Sequence, residues 1–142
     1  MNISAKTEYA CIAVLELAAN YGAVRPMRIR DIAESNGIPS RFLVQILLQL
    51  KAAGIVGSTR GAAGGYKLMR PPAELSLAEV MAVSEGPSNE PVSSAGKQTV
   101  AARTLLGAWR TVAAVERQML ESITFAELVE RVRGQTESMY YI

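Results

Sequence analysis

The side chains best suited to a chemical task are hydrogen-bond donors in the N-terminal half of the chain. Arg41 and Gln45 are four residues apart, so in a helix they lie on one face. An arginine can make two hydrogen bonds to guanine, and a glutamine can make two to adenine. The pair is therefore predicted to read base edges in the major groove of DNA, although two solvated side chains on an exposed helix would show the same spacing.

Further candidate DNA contacts flank this pair. Arg60 precedes a glycine-rich run, where a hairpin tip can place a cation in the minor groove or on a phosphate. Leu48 shares the face of Arg41 and either meets DNA, at a thymine methyl group or beside a phosphate, or packs in the core. The residues predicted to contact DNA are Arg28, Arg30, Ser40, Arg41, Gln45, Gln49, Arg60, Gly64, Gly65, Tyr66 and Lys67.

The chain has few residues of the types that most often perform catalysis or bind metals. The chain has no histidine and a single cysteine, Cys11, so it lacks the commonest general base and the usual zinc ligands. Residues 61–65 are glycine-rich but lack the nucleotide-binding patterns and lead into a strand. We therefore expect no catalytic residue, no enzyme activity and no metal site, and we interpret Cys11 as a buried, inert side chain in preference to a thiol sensor.

The charge is divided unevenly along the chain. The net charge is only +2, yet residues 1–73 hold nine basic and four acidic side chains, a net charge of +5. Residues 74–142 hold six basic and nine acidic side chains, a net charge of −3. A basic N-terminal half indicates a polyanionic partner, although a chance asymmetry of a solvated surface fits equally well.

The elements that must position these donors form a helix-turn-helix followed by a wing. Helical periodicity predicts helices at residues 5–21, 28–36 and 39–53, with a tight turn at Asn36-Gly37 between the last two. The third helix carries an apolar stripe on one side and Arg41 on the other, which is typical of a DNA-reading helix. Two extended runs joined by the glycine-rich segment then predict a β-hairpin.

The C-terminal half is predicted to be helical. Capping boxes at Ser76 and Thr124 each predict the start of a helix. The helix that begins after Thr124 is predicted to be short and to run to about Arg133. A long helix is predicted over residues 99–122. The fold class is mainly α with a small β-hairpin wing. Its predicted parts are a winged helix-turn-helix domain at 1–86, a flexible linker at 87–98, and a dimerisation helix with a short C-terminal helix at 99–142.

The long helix is the predicted dimer interface. Its apolar stripe, formed by Leu105, Trp109, Val112 and Met119, has few partners within so small a domain and needs a cover. A second copy of the chain would supply one. Alternatively, Trp109 packs against its own first helix near Leu15 and Ala18, and the dimer forms elsewhere.

The compartment is expected to be the cytoplasm. No apolar run approaches the roughly 20 residues that span a bilayer, so no membrane partner is expected. The N-terminal residues show no secretory signal, and one cysteine cannot form an internal disulfide framework.

The order and spacing of several motifs resemble those of the Rrf2 family, the IscR/NsrR/CymR-type bacterial winged helix-turn-helix transcriptional regulators. The match covers nearly the whole chain. The motifs are SAKTEYA at 4–10, IAE at 32–34 with GIP at 37–39, FLVQIL at 42–47, LKAAGIV at 50–56, RG at 60–61 with GGY at 64–66, SL at 76–77, EGP at 85–87 and ITFAEL at 123–128.

One departure from the family pattern concerns the cofactor. Members that sense redox state or nitric oxide hold an iron–sulfur cluster with cysteines that follow the fourth helix, whereas residues 86–109 contain none here. Glu8 stands where some relatives place a non-cysteine ligand, but one carboxylate cannot hold a cluster that needs thiolates. We therefore expect a cluster-free member with no cofactor.

The resemblance implies a sequence-specific DNA-binding regulator, a repressor, that acts as a homodimer on a palindromic site in double-stranded DNA. An effector, either a small molecule or a protein, is left open. The alternative is a winged-helix adaptor that binds another protein and not DNA. The basic residues on the reading helix and the wing favour DNA.

Overall fold

Six α-helices, a short 3-10 helix and a two-stranded hairpin make up the described part of the chain. The computed structural model describes residues 1–86 and 90–140. The mainly helical class with a hairpin wing is confirmed. The elements are α1 (Ala5–Ala19), α2 (Ile29–Asn36), α3 (Ser40–Ala52), β1 (Val56–Thr59), β2 (Gly65–Leu68), the 3-10 helix (Pro72–Glu74), α4 (Leu77–Glu85), α5 (Val100–Ser122) and α6 (Phe125–Tyr140).

Hydroxyl side chains cap the helices where the sequence predicts them. The Ser4 hydroxyl accepts a hydrogen bond from the backbone N–H of Thr7 at 3.2 Å, and α1 begins at the next residue. The Ser76 hydroxyl accepts from the N–H of Glu79 at 3.2 Å at the start of α4. Each cap satisfies a backbone donor that has no partner within its helix, which fixes where the helix begins.

The turn between α2 and α3 is made by Gly37, as predicted. Its backbone is left-handed, with φ 64° and ψ 32°, a conformation that glycine adopts without the steric penalty of a Cβ atom. The N–H of Ile38 then donates to the carbonyl of Ala33 at 2.9 Å, which closes the C-terminus of α2. The chain re-enters a helix directly after Pro39, so only three residues separate α2 from α3.

The apolar stripe predicted on α3 lies in the core. Leu43, Ile46, Leu47 and Leu50 are at most 2% exposed. They pack in one apolar cluster with the buried face of α1. Burying such side chains contributes about 1.5–3 kcal/mol each, so the stripe fixes the rotation of α3 about its axis. The opposite face of α3 is thereby turned to solvent.

The wing is tied to the loop that precedes α2. Strands β1 and β2 are antiparallel, with Val56 opposite Leu68 and Thr59 opposite Gly65. Met27 forms a further bridge with Tyr66 through two backbone hydrogen bonds of 2.9 and 2.7 Å. The hairpin therefore has a third backbone neighbour on one edge.

The C-terminal part of the chain shares the core of the N-terminal part. Phe125 is fully buried and Val129 nearly so, in the same cluster as α1. The N–H of Leu77 donates to the carbonyl of Ile123 at 2.8 Å, and the N–H of Phe125 donates to Leu75 at 3.0 Å. The start of α6 is therefore joined to the N-terminal part by packing as well as by chain.

The last helix is longer than predicted. It runs to Tyr140 and not to about Arg133, because Gly134 continues the helix instead of ending it. Ion pairs along the helix, Arg131–Glu127 at 3.0 Å and Arg133–Glu130 at 2.8 Å, favour the helical conformation by a few tenths of a kcal/mol each.

The predicted linker is only partly described. Residues 90–98 contain neither helix nor strand, while residues 87–89 of the predicted linker and 141–142 of the predicted C-terminal segment lie outside the described residues. Within residues 1–86 and 90–140, no helix is long and apolar enough to cross a bilayer.

Candidate nucleic-acid interface

The exposed face of α3 carries the predicted base-reading residues. Arg41 and Gln45 are exposed on the side opposite the buried stripe. The Arg41 guanidinium lies over the Phe42 ring, 5.0 Å from its centroid, which is a favourable cation–π contact at the start of the helix. Within the described residues Gln45 makes no side-chain hydrogen bond, so its amide remains able to bind an external partner.

The position of Leu48 decides between its two interpretations. Its side chain is 49% exposed and does not belong to the core cluster, so the core alternative is wrong. It lies on the same face as Arg41 and Gln45, with Gln49 exposed beside it. The face therefore combines donors with apolar surface.

The tip of the wing presents one cation to solvent. Arg60 follows directly after β1 and is exposed. Its guanidinium makes no hydrogen bond or ion pair with any residue in the described ranges. The turn behind it is closed by a backbone hydrogen bond from the Gly64 N–H to the Gly61 carbonyl at 3.0 Å. A charged side chain on a closed turn is arranged to meet an anion outside the chain.

Gly64 and Gly65 have structural reasons for being glycine. A Cβ atom at Gly64 would lie 2.1 Å from the carbonyl oxygen of Thr59, and one at Gly65 would lie 2.3 Å from that of Met27. Both approaches are between backbone atoms and leave no room for any other residue. Their predicted contact with DNA stays a prediction, and what the structure shows is that they let the wing fold against its neighbours.

Arg28 and Lys67 have partners within the protein. The Arg28 guanidinium donates to the carbonyl of Ala62 at the wing tip. The Lys67 ammonium donates to the carbonyl of Val24 at 3.0 Å, in the loop that precedes α2. With the Met27–Tyr66 bridge, these two contacts form what we call the wing anchor. Both cations are exposed, so the predicted DNA contacts of Arg28 and Lys67 compete with these internal bonds.

The remaining predicted contacts differ in exposure. Ser40 and Arg30 lie at the starts of α3 and α2 and are exposed, where their side chains make no hydrogen bond within the described residues. Tyr66 is only half-buried and packs against the core cluster. Helix N-termini suit phosphate binding, which favours Ser40 and Arg30 as backbone contacts.

The electrostatics of this surface are one-sided. From residue 35 to residue 73, through α3 and the wing, the sequence contains no aspartate or glutamate. Lys51 is a cation of this stretch that the motif reasoning missed, and its ammonium donates to the Ser58 hydroxyl at 2.7 Å. The length of the acid-free run was the available signal for it. A surface with cations and no carboxylate favours a polyanion.

The apolar stripe of α5 is uncovered in the single chain. Leu105, Trp109, Val112 and Met119 are all more than half exposed, and Trp109 is 57% exposed. The alternative that Trp109 packs on its own first helix near Leu15 and Ala18 is therefore wrong. The stripe is available to another molecule.

The comparisons with known proteins identify the family. Residues 3–131 match the Rrf2 family, which is described as iron-dependent transcriptional regulator. The chain belongs to the Rrf2 family. It is 33% identical to the HTH-type transcriptional regulator CymR of Bacillus subtilis over the full length of both chains. It is also 33% identical to IscR of Escherichia coli O1:K1, over 91% of this chain and 80% of that protein.

Solved structures of Rrf2 proteins share the fold. The structure of CymR, the global cysteine regulator of B. subtilis, gives a TM-score of 0.80 at 31% identity and covers 92% of this chain and 98% of that one. The structure of IscR of T. potens gives 0.74 at 28% identity and covers 93% and 88%. This Rrf2 protein is a winged-helix, DNA-binding transcriptional regulator, which confirms the main interpretation over the adaptor.

The residues of this Rrf2 protein do not fit the cofactor that the family description implies. An iron–sulfur cluster needs several thiolate or imidazole ligands, and this chain has one cysteine and no histidine. Among the described residues, no three His, Cys, Asp or Glu side chains come together in a group that could hold a metal ion. Glu8 is exposed. Cys11, the single cysteine of the chain, lies three residues later on the same helix and is half-buried.

The environment of Cys11 disfavours thiolate chemistry. Burial of the side chain, and to a lesser degree the Glu85 carboxylate, raises the pKa of its thiol from an ordinary 9.0 to about 11. Cys11 lies in an apolar groove between α1, α4, α5 and α6, together with Ile12, Leu15 and Phe125. At neutral pH the group is the protonated thiol, which is a poor nucleophile and a poor metal ligand.

Proposed function

We propose that the protein is a cluster-free cytoplasmic repressor that binds a palindromic DNA operator as a homodimer. Each protomer inserts α3 into a major groove and sets Arg60 of the wing on the adjacent backbone or minor groove. The observation that carries the proposal is the face formed by Arg41, Gln45 and Arg60, whose donors are exposed within a stretch without acidic residues.

The geometry of α3 supports major-groove reading. The buried stripe fixes the rotation of the helix, so Arg41 and Gln45 point outward on a rigid element. Arg41 pairs well with guanine and Gln45 with adenine. Ser40 and Arg30, at helix starts, are positioned for phosphates, which set the register of the protein on the duplex.

The stripe on α5 supports a homodimer. Leu105, Trp109, Val112 and Met119 form an exposed apolar surface on a helix of 23 residues. A two-fold contact through this stripe would pair the two reading helices for half-sites about one helical turn apart, so the operator would be palindromic. Repression follows most simply, because a dimer on its operator excludes other proteins from that DNA.

The DNA docking is tested with a duplex selected by the protein from a random pool. Its affinity is measured from about 50 to about 200 mM salt for the protein, Arg60→Ala and Arg131→Ala. Removal of a phosphate contact lowers the slope of log affinity against log salt by about 0.9, which we expect for Arg60→Ala. Arg131, on α6, supplies the matched loss of charge and should leave the slope unchanged. Equal slopes for all three proteins would remove Arg60 from the DNA contact.

The dimer is tested with Trp109→Glu. Sedimentation is expected to show a monomer, and circular dichroism a folded chain, because Trp109 is exposed in the single chain. Glu121→Gln, elsewhere on α5, is the control. A folded Trp109→Glu dimer that binds the selected duplex normally would exclude this interface.

The absence of a cofactor and of catalysis belongs to the same proposal. The ligand count does not suit an iron–sulfur cluster, and the named relatives are transcriptional regulators. Protein purified anaerobically with iron and sulfide is expected to be colourless. Stoichiometric iron with a visible chromophore would refute the cluster-free state.

A further inference from the structure

The exposed face of α3 contains a pair of apolar side chains that the donors do not explain. Val44 is 38% exposed and Leu48 is 49% exposed, and neither belongs to the core cluster. They are four residues apart, so they are neighbours on the helix surface, about 5–6 Å apart at their Cβ atoms. Single exposed apolar residues are common, but these two adjoin each other, with Leu48 on the outward face beside Arg41 and Val44 at the flank of that face.

The charge around this pair favours DNA as its partner. At 100° per residue Leu48 lies between Arg41 and Val44, on the side of the helix away from the buried stripe. No acidic residue occurs on α3 or on the wing. A protein partner for this patch would have to accommodate the positive charge of Arg41 beside it, whereas DNA surrounds the apolar groups in its major groove with phosphates.

The only apolar group that base pairs present in the major groove is the C5 methyl group of thymine. We propose that Val44 and Leu48 form a contact surface for thymine methyl groups and so select thymine at one or two positions in each half-site. This inference rests on the proposed insertion of α3 into the major groove. Because the helix and the wing lack a carboxylate to accept from cytosine, the same face is biased away from reading cytosine directly.

The test removes the methyl group from the DNA and leaves the protein intact. In a duplex selected from a random pool, each thymine is replaced in turn by deoxyuridine, which lacks the methyl group and keeps the hydrogen-bonding atoms. Burial of one methyl group corresponds to about fourfold in affinity. We expect a loss of about that size at one or two positions per half-site and no loss at thymines outside the half-sites.

The protein variants assign the effect. In Leu48→Ala or Val44→Ala, the ratio of affinities for the thymine and uracil duplexes is expected to fall towards one at the sensitive position. Gln49→Ala on the same helix is expected to weaken binding to both duplexes and keep the ratio. Both apolar positions are exposed and alanine favours helix, so circular dichroism should show an unchanged fold.

Three results would overturn the inference. If the unaltered protein binds the thymine and uracil duplexes with equal affinity at every position, no methyl group is contacted. The proposed function would still stand if the protein continued to select one sequence from the pool. A ratio that both alanine variants retain would place the methyl contact elsewhere. If Leu48→Ala or Val44→Ala alters the sedimentation of the protein but not the ratio of thymine to uracil affinities, Val44 and Leu48 belong to a protein contact. Failure to select any sequence would instead contradict the proposed function itself.

Discussion

The wing anchor offers a direct way to separate cations that touch DNA from cations that hold the protein in shape. Arg28 donates from its guanidinium to the carbonyl of Ala62, next to the wing tip that carries Arg60. Removal of its side chain by Arg28→Ala deletes this bond and leaves the Met27–Tyr66 bridge in place. We expect the wing to become more mobile and DNA binding to weaken, with Arg28 acting through the position of the wing and not through a phosphate.

The size of the effect follows from the exposure of the bond. A hydrogen bond from a charged donor contributes about 1.5–3 kcal/mol. Arg28 and Ala62 are both exposed, so water replaces the lost partner and no buried group is left unsatisfied. Solvent screening therefore reduces the contribution to about 1 kcal/mol, which corresponds to about fivefold in affinity.

The assay distinguishes this role from a phosphate contact by its salt dependence. Affinity of Arg28→Ala for the selected duplex is measured by fluorescence anisotropy from about 50 to about 200 mM salt. We expect an affinity loss of about fivefold with an unchanged salt slope, whereas Arg60→Ala lowers the slope by about 0.9. Trypsin cleavage after Arg60 in the free protein supplies a second readout and should be faster in Arg28→Ala.

Similar behaviour of Arg28→Ala and Arg60→Ala would contradict this division of roles. A salt slope that falls by about one unit in Arg28→Ala, with unchanged tryptic cleavage, would make Arg28 a phosphate ligand in the complex. Its bond to Ala62 would then belong only to the free protein. Arg131→Ala, measured in parallel, controls for the loss of one positive charge.

Three other substitutions or measurements probe the remaining parts of the chain. Gln45→Ala should relax base preference at one position per half-site by about 1–3 kcal/mol in a competition with point-mutated duplexes, and equal weakening on all sequences would contradict base reading. Phe125→Ala should destabilise the fold by about 3–5 kcal/mol, since the ring is fully buried. The melting temperature in circular dichroism should fall by about 10 °C or more. A shift of only about one or two degrees would contradict the place of Phe125 in the core. Cys11, with a pKa raised from 9.0 to about 11, should react with iodoacetamide at pH 8 about 100-fold more slowly in the native than in the unfolded protein, and equal rates would contradict its burial.

The same thiol has a consequence for stability at high pH. Its pKa in the folded protein lies above its ordinary value, so folding favours the protonated form. This preference for the protonated thiol stabilises the folded protein fully below about pH 9, and the stabilisation is lost as the pH rises through about 11. Cys11→Ser should reduce this loss in thermal melts taken across that range.

Local sequence rules predicted the elements because those elements are determined locally. The apolar period of α3, the left-handed Gly37 and the hydroxyl caps at Ser4 and Ser76 each act within a few residues. The end of α6 was the exception. Gly134 resembles a stop in the sequence, yet ion pairs before it and the absence of a proline after it let the helix continue.

The sequence predicted which face of α3 forms the candidate site, but it did not predict the internal partners of the cations near that face. The rotation of α3 follows from its buried stripe, so the outward position of Gln45 could be deduced, whereas the sequence left both interpretations of Leu48 open and the structure decided between them. The pairing of Arg28 with Ala62 spans 34 positions of sequence, and that of Lys67 with Val24 spans 43. No pattern of residue types specifies contacts over such separations, because they depend on how the wing packs against the loop before α2.

The three cations of the wing region therefore illustrate how one residue class divides into two roles. Arg28, Arg60 and Lys67 are all exposed. Arg28 and Lys67 each donate to a backbone carbonyl on a neighbouring segment, while within the described residues Arg60 donates to none. A cation that is already bonded must exchange that bond for a phosphate and gains less from DNA than one that meets the phosphate directly. Arg60 should consequently contribute more to the salt-dependent part of DNA binding than Arg28 and Lys67 together, while those two determine where Arg60 is held.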